Sequence, residues 1–341
     1  MNGYRHFLKR LLLFSIPIWL HVGCYVLADP FMVVYNYTNY YAERRIPVAL
    51  DRDYVSTMTY VQNREKKNYD SFIFGNSRSM YYEIADWKEM IGKERTCYHF
   101  DASAESLYGM VKKVKFLDEM GDSLKHMLFV IDNSLLEQAT PQTGNHLFYV
   151  SPILEKYRNV IGFHFTHWKT LLNVKFTYAV CDYYFSKEIK DYMIANNFFE
   201  NYNIEYDLSS NEVKESEFEQ AIAEGKYYTE QRMKVFDGAQ TPGTADPAIG
   251  EQQLQMLHEL KSVLDKHQSQ FKIVISPLYN QINIHPADLA HLCDIFGQQH
   301  IFDYSGVNAI TADYRNYYEA AHYRPAVAKK IMQEIYASKS M

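Results

Sequence analysis

The sequence predicts an α/β domain, a three-layer sandwich around a mostly parallel five-stranded sheet. An N-terminal membrane-spanning helix precedes it and a mainly helical insertion interrupts it. Three observations predict this. Short apolar runs alternate with stretches of helical period, one long aromatic segment breaks that alternation, and an apolar run with a basic flank opens the chain.

The opening comes first. Arg5, Lys9 and Arg10 precede an apolar stretch over 11–28, LLLFSIPIWLHVGCYVLA. Its 18 residues span about 27 Å as a helix, enough to cross a bilayer core. The alternative is a buried helix of a soluble domain, but the extreme terminal position and the basic residues directly before the run favour membrane. The run exits as Val-Leu-Ala-Asp-Pro, a poor signal-peptidase site. In His21-Val22-Gly23-Cys24, a lipoprotein-like box, His21 stands where an aliphatic residue belongs. A retained signal-anchor follows over 1–30, with the N-terminus in the cytoplasm and the rest outside. Residues 31–68, rich in Tyr and Asn and without clear period, read as an ordered connector.

Regular alternation starts at residue 69. Strands are expected at 71–74, 96–100, 126–131, 271–276 and 300–303. Helices are expected over 78–91, 106–119, 252–264, 286–296 and 325–337. The insertion covers about 134–250. Its aromatics could line a carbohydrate groove, but filling a small subsidiary core near the membrane is the plainer reading.

Composition narrows the function. Of 341 residues 47% are hydrophobic and 22% charged, which excludes wholesale disorder and rod-like repeats. Thirty-five basic against 41 acidic residues leave a net charge of −6, so a polybasic surface for nucleic acid is not expected. The four cysteines form no CxxC pair, and neither GxGxxG nor GxxxxGK[ST] occurs, so no cofactor is implied. His164 and His167 could share a helical face, but no nearby carboxylate completes a metal site.

Two segments carry chemistry. In Ser71-Phe72-Ile73-Phe74-Gly75-Asn76-Ser77-Arg78 a buried strand runs into a turn and helix, placing Ser77 at a strand's carboxyl end, where open α/β sheets hold ligands. An ordinary helix cap would explain the Asn and Ser equally well. Near the other end stands Glu319-Ala320-Ala321-His322, just before the last helix. A serine hydroxyl needs a base to take its proton, and the base needs an acid to hold its tautomer.

Together the segments resemble the SGNH hydrolases, also called GDSL-like esterases, with Gly75-Asn76-Ser77-Arg78 in the place of the family's Gly-Asp-Ser block. More narrowly they look like membrane-anchored cell-envelope members acting on polysaccharides. The resemblance covers about 69–133 and 251–340, and implies a flavodoxin-like sheet. It makes Ser77 the nucleophile, His322 the general base and Glu319 the orienting acid, with Asp313 as the fallback because the family usually has Asp there. It draws the oxyanion hole from the N–H of Ser77, the N–H of Ala104 where the family has glycine, and the side chain of Asn133. The implied activity is ester hydrolysis or O-acyl transfer on acyl groups, acetyl foremost, of an envelope glycan, alongside polysaccharide-synthesis proteins. The alternative is a degenerate domain that binds glycan or scaffolds such a complex.

Overall fold

The computed structural model describes residues 2–195, 198–200 and 204–337. In chain order the principal helices are α1 (Asn2–Ala28), α2 (Arg52–Lys67), α3 (Ile84–Ile91), α4 (Leu107–Glu119), α5 (Val160–Thr170), α6 (Val174–Ser186), α7 (Glu251–Lys266), α8 (Pro286–Phe296) and α9 (Pro325–Ala337). The strands of the main sheet are β1 (Ser71–Gly75), β2 (Cys97–His99), β3 (His126–Ile131), β4 (Gln270–Ile275) and β5 (Ile301–Asp303). The chain divides into two compact units. One comprises Met1–Leu50, Thr143–Leu147 and Asn159–Asn201, the other Asp51–Gln142, Phe148–Arg158 and Tyr202–Met341.

The larger unit is the α/β sandwich. Its sheet has the order β2-β1-β3-β4-β5, and every neighbouring pair is parallel. Parallel strands need crossovers, so both faces are covered and the strands read as continuous apolar runs. Side chains alternate between the faces. Phe72, Phe74, Met127, Phe129, Ile131, Ile273 and Ile275 pack on one side with Val111 and Val114 of α4 and Leu257 and Leu260 of α7. Ile73, Leu128, Val130 and Val274 pack on the other with Trp87 of α3 and Val327 and Ile331 of α9. The chain runs outward from β1 to β2, then returns past β1 to β3, so strand order reverses between β1 and β3. Their carboxyl ends flank the crevice that such a reversal opens.

Two expectations in this unit need correction. The connector contains α2, a full helix capped by Asp51, whose carboxylate accepts from the N–H of Asp53 at 3.1 Å. No apolar period shows because every residue from Arg52 to Tyr60 is buried, charged, polar and apolar alike. Arg52 pairs with Asp101 at 2.9 Å, and Asp53 lies 2.9 Å from Lys113 of α4. Second, the helix expected over 78–91 breaks into a 3-10 turn, Ser77–Tyr81, and α3. Tyr81 and Tyr82 are both buried. The helical backbone ends at Tyr82, at φ −83° and ψ 85°, and the extended Glu83 precedes the start of α3.

The smaller unit is built from α1, α5, α6 and the segment after α1. The expected single insertion is therefore split: 143–147 and 159–201 belong with the N-terminal fifty residues, the rest with the sandwich. Phe31 stacks on Phe176 at 5.5 Å and meets His167 edge-on, while Val48 bridges to Phe199. These aromatics fill a subsidiary core. Only 6% of the 18-residue apolar window of α1 is buried, with a mean hydropathy of 2.0. The helix is long and apolar enough to cross a membrane, and it is not the buried core helix of a soluble domain.

Candidate active site

Gly75 ends β1 with φ +155°, and a Cβ there would sit 2.5 Å from the carbonyl oxygen of Val130 on β3. Only glycine lets the strands stay this close where the chain turns up to Ser77. Asn76 caps the 3-10 turn by accepting from the N–H of Arg78 at 3.2 Å, and donates its amide to Asp132 at 2.6 Å. Ser77 follows, half-buried above the crevice. The short turn replaces the expected helix, so the N–H groups there are those of one turn, not of a long dipole.

The histidine arrives on a small antiparallel hairpin, Tyr317–Glu319 against His322–Tyr323, in which Glu319 and His322 are paired across the turn. The Ser77 hydroxyl lies 2.7 Å from Nε2 of His322, and Nδ1 of the same ring is hydrogen-bonded to Glu319 Oε1. With Nδ1–H donating to the carboxylate, Nε2 is left as acceptor for the hydroxyl proton. The second carboxylate oxygen accepts the N–H of Ala321 at 2.8 Å. Burial pushes the Glu319 carboxyl up, but the His322 bond and charge, the Ala321 N–H and nearby Arg78 together hold it below the usual range. It therefore stays ionised beside the imidazole at neutral pH.

Two groups that sequence reasoning gave no role complete this arrangement. Arg78 donates Nε to the carbonyl of Ala321 at 3.0 Å and Nη1 to Asp132 at 2.6 Å, tying the serine turn, the end of β3 and the histidine hairpin together. Burial raises the Asp132 carboxyl, and Arg78, Ser134, Asn76 and the N–H of Leu135 more than reverse it. Glu215, from the inserted segment, accepts from the Tyr81 hydroxyl at 3.2 Å, and the Tyr81 ring meets His322 edge-on at 6.0 Å. Burial lifts the Glu215 carboxyl above its ordinary range. The same segment buttresses the hairpin: Glu219 pairs with Arg324 at 2.6 Å and accepts from Tyr318 at 2.7 Å. Arg78 was legible in the Gly-Asn-Ser-Arg block; nothing in the sequence pattern marked Glu215.

Other expected residues fare differently. Asp313 pairs with Arg315 at the surface at 2.8 Å and caps a short turn, and it is Glu319 that meets His322. The Asn133 amide donates one N–H to Glu137 at 2.6 Å on the helix Asn133–Glu137, which leaves its second N–H as the one an oxyanion could use. Asp132 takes the buried position there as the extended helix cap, and half-buried Asn133 opens the helix. Ala104 takes φ +48°, the left-handed conformation a glycine would favour, on a loop joined to the Ser77 turn by the Ala102 N–H to Gly75 carbonyl bond at 3.3 Å. Beside Arg78 and Asp132 opens a cleft of about 510 Å³ walled by Ser276, Asn280, Asn283 and Asp246. The four cysteines are free thiols. Among the described residues no group of three or more His, Cys, Asp or Glu could hold a metal ion.

Comparison with protein-family models, with curated proteins and with solved structures finds no match.

Proposed function

We propose that this chain is a serine esterase or O-acyltransferase of the SGNH type, acting on acyl groups, acetyl foremost, of a cell-envelope polysaccharide. The observation that carries the reading is the Ser77 hydroxyl 2.7 Å from His322 Nε2, with Glu319 on the far side of the ring. As Oγ adds to the ester carbonyl, His322 takes its proton and Glu319 stabilises the imidazolium. Collapse expels the sugar alcohol, which receives that proton, and leaves acyl-Ser77. Water or a second hydroxyl then loses a proton to His322 and attacks the acyl carbon, freeing Ser77. The main-chain N–H groups of Ser77 and Ala104 receive the developing oxyanion. One oxyanion donor is worth roughly 3–4 kcal/mol of transition-state stabilisation, so an Asn133 side chain held by Glu137 away from the oxyanion slows the site by that much. The Asn, Ser and Asp side chains of the neighbouring cleft suit a hydroxyl-rich substrate.

α1 anchors the chain, with Arg5, Lys9 and Arg10 on the cytoplasmic side and the sandwich outside, within reach of envelope polysaccharide-synthesis proteins. Protease added to spheroplasts then digests the sandwich; protection would reverse the topology. A fluorophosphonate probe labels the wild-type chain and not Ser77→Ala, and the variant loses activity on aryl acetate and acetylated glycan. Full activity of Ser77→Ala sinks the reading. The hold of Glu137 on Asn133 favours a second reading, a glycan-binding scaffold without turnover, which predicts folded protein that takes no label.

A further inference from the structure

We propose that α5 and α6 lie in the membrane interface beside α1, so that the smaller unit is an apolar collar seated on the lipid. This rests on α1 crossing the membrane. Both helices are apolar on two faces, and a helix apolar all round is normally buried in a core or in lipid. Their inner faces supply Phe163 and His167, and Phe176 and Ala179, to the subsidiary core. Their outer faces carry a second stripe that no other described residue covers. On α5 it runs through Ile161 (83% exposed), Phe165 and half-buried Trp168; on α6 it runs through Val174, Tyr178, Cys181 and Phe185 (83%). The residues recur at i, i+4 and i+7, and on α6 at i+11, one straight line on each helix.

The stripe is continuous with α1. Trp168 meets His21 edge-on at 5.7 Å, His21 Nε2 lies 3.1 Å from the Leu171 carbonyl, and the Tyr25 hydroxyl lies 2.9 Å from His164 Nδ1. These contacts fall on the last two turns of α1, within about 10 Å of the end of a span that closes at Ala28. Helices joined there lie at headgroup depth, where Tyr and Trp concentrate and where an apolar face sinks about 5–10 Å. Lys169 and Lys175 sit at the borders of the stripes, placed to meet anionic headgroups. A lipid surface therefore fits this face better than a second protein.

The chain has three tryptophans, one for each environment. Trp19 lies mid-span on α1, Trp168 on the collar, and Trp87, fully buried in the sandwich, serves as control. Three single-tryptophan forms of the full chain, the other two residues changed to Phe, are reconstituted in phosphatidylethanolamine–phosphatidylglycerol vesicles with bromines shallow or deep in the acyl chains. Trp19 and Trp168 should both lose fluorescence to brominated lipid, Trp168 being reached at least as well by shallow as by deep bromines, and Trp87 should be quenched by neither. An unquenched Trp168 beside a quenched Trp19 overturns the collar and leaves the anchor standing; an unquenched Trp19 removes the anchor and the collar with it. A second probe avoids replacing tryptophan. An environment-sensitive dye on Cys181, with Cys24→Ser and Cys293→Ser and with Cys97 buried, should shift to the blue and be quenched by shallow spin-labelled lipid. A blue shift without lipid quenching means a protein covers the stripe, and refutes the lipid assignment.

Discussion

Replacing Glu319 by Gln keeps the shape of the side chain and changes only which atoms donate. The carboxylate serves two donors, Nδ1–H of His322 and the main-chain N–H of Ala321 at 2.8 Å. An amide has a single oxygen. The Ala321 N–H cannot become an acceptor, whereas the imidazole can change tautomer, so the amide oxygen is drawn to Ala321 and its NH2 faces the ring. Nδ1 then accepts and Nε2 carries the proton, pointing a donor at the Ser77 hydroxyl, which can no longer be deprotonated. Trapping the wrong tautomer in a triad of this kind costs about 10⁴-fold, or about 5.5 kcal/mol of activation free energy. The assay is the rate of fluorophosphonate labelling beside aryl acetate hydrolysis, with thermal unfolding as the control. Labelling within tenfold of the wild-type rate, in protein of unchanged melting temperature, would show that Glu319 does not hold the tautomer.

Three further outcomes follow from the packing. Gly75→Ala, whose Cβ meets the Val130 carbonyl at 2.5 Å, should cost about 1–3 kcal/mol in urea unfolding and slow labelling by displacing Ser77; unchanged stability refutes the close-approach argument. Lys113→Met strands the carboxylates of Asp53 and Glu105 in the interior and should cost about 3–5 kcal/mol, whereas Lys115→Met on the exposed side of α4 should be nearly neutral; equal effects would count against the buried network. Burial holds the His99 imidazole down at about 4. The folded value is depressed, so its contribution is complete above an unfolded value of about 6.5 and is lost as pH falls from there through about 4, about 3 kcal/mol at most. An NMR titration placing the His99 midpoint near 6.5 contradicts this, as does an acid dependence of stability unchanged in His99→Phe.

Much of the sandwich was legible because its strands are apolar on both faces and its helices bury one stripe. Pro286–Phe296 and Pro325–Ala337 even carry their start signal in the first residue. α2 was not legible, because Arg52 and Asp53 are buried through partners on other elements, Asp101 and Lys113, and periodicity counts such residues as solvent-facing. The fate of 134–250 was hidden for a similar reason. Which of its aromatics pack against residues before position 50 depends on contacts such as Phe31 with Phe176, more than a hundred positions apart.

The site divides along the same line. Residue order alone determined that a strand would deliver Ser77 to a turn, that Glu319 and His322 would sit close together, and that an apolar helix would open the chain, because each is a property of neighbours. Tertiary structure decided that Ser77 and His322, 245 positions apart, meet at hydrogen-bond distance. It also decided that Arg78 locks that meeting to Asp132, that Glu319 and not Asp313 reaches the ring, and that Asn133 turns to Glu137. Each of these is a choice among partners of similar chemistry, and only the packed backbone, by setting which one comes within about 3 Å, makes it.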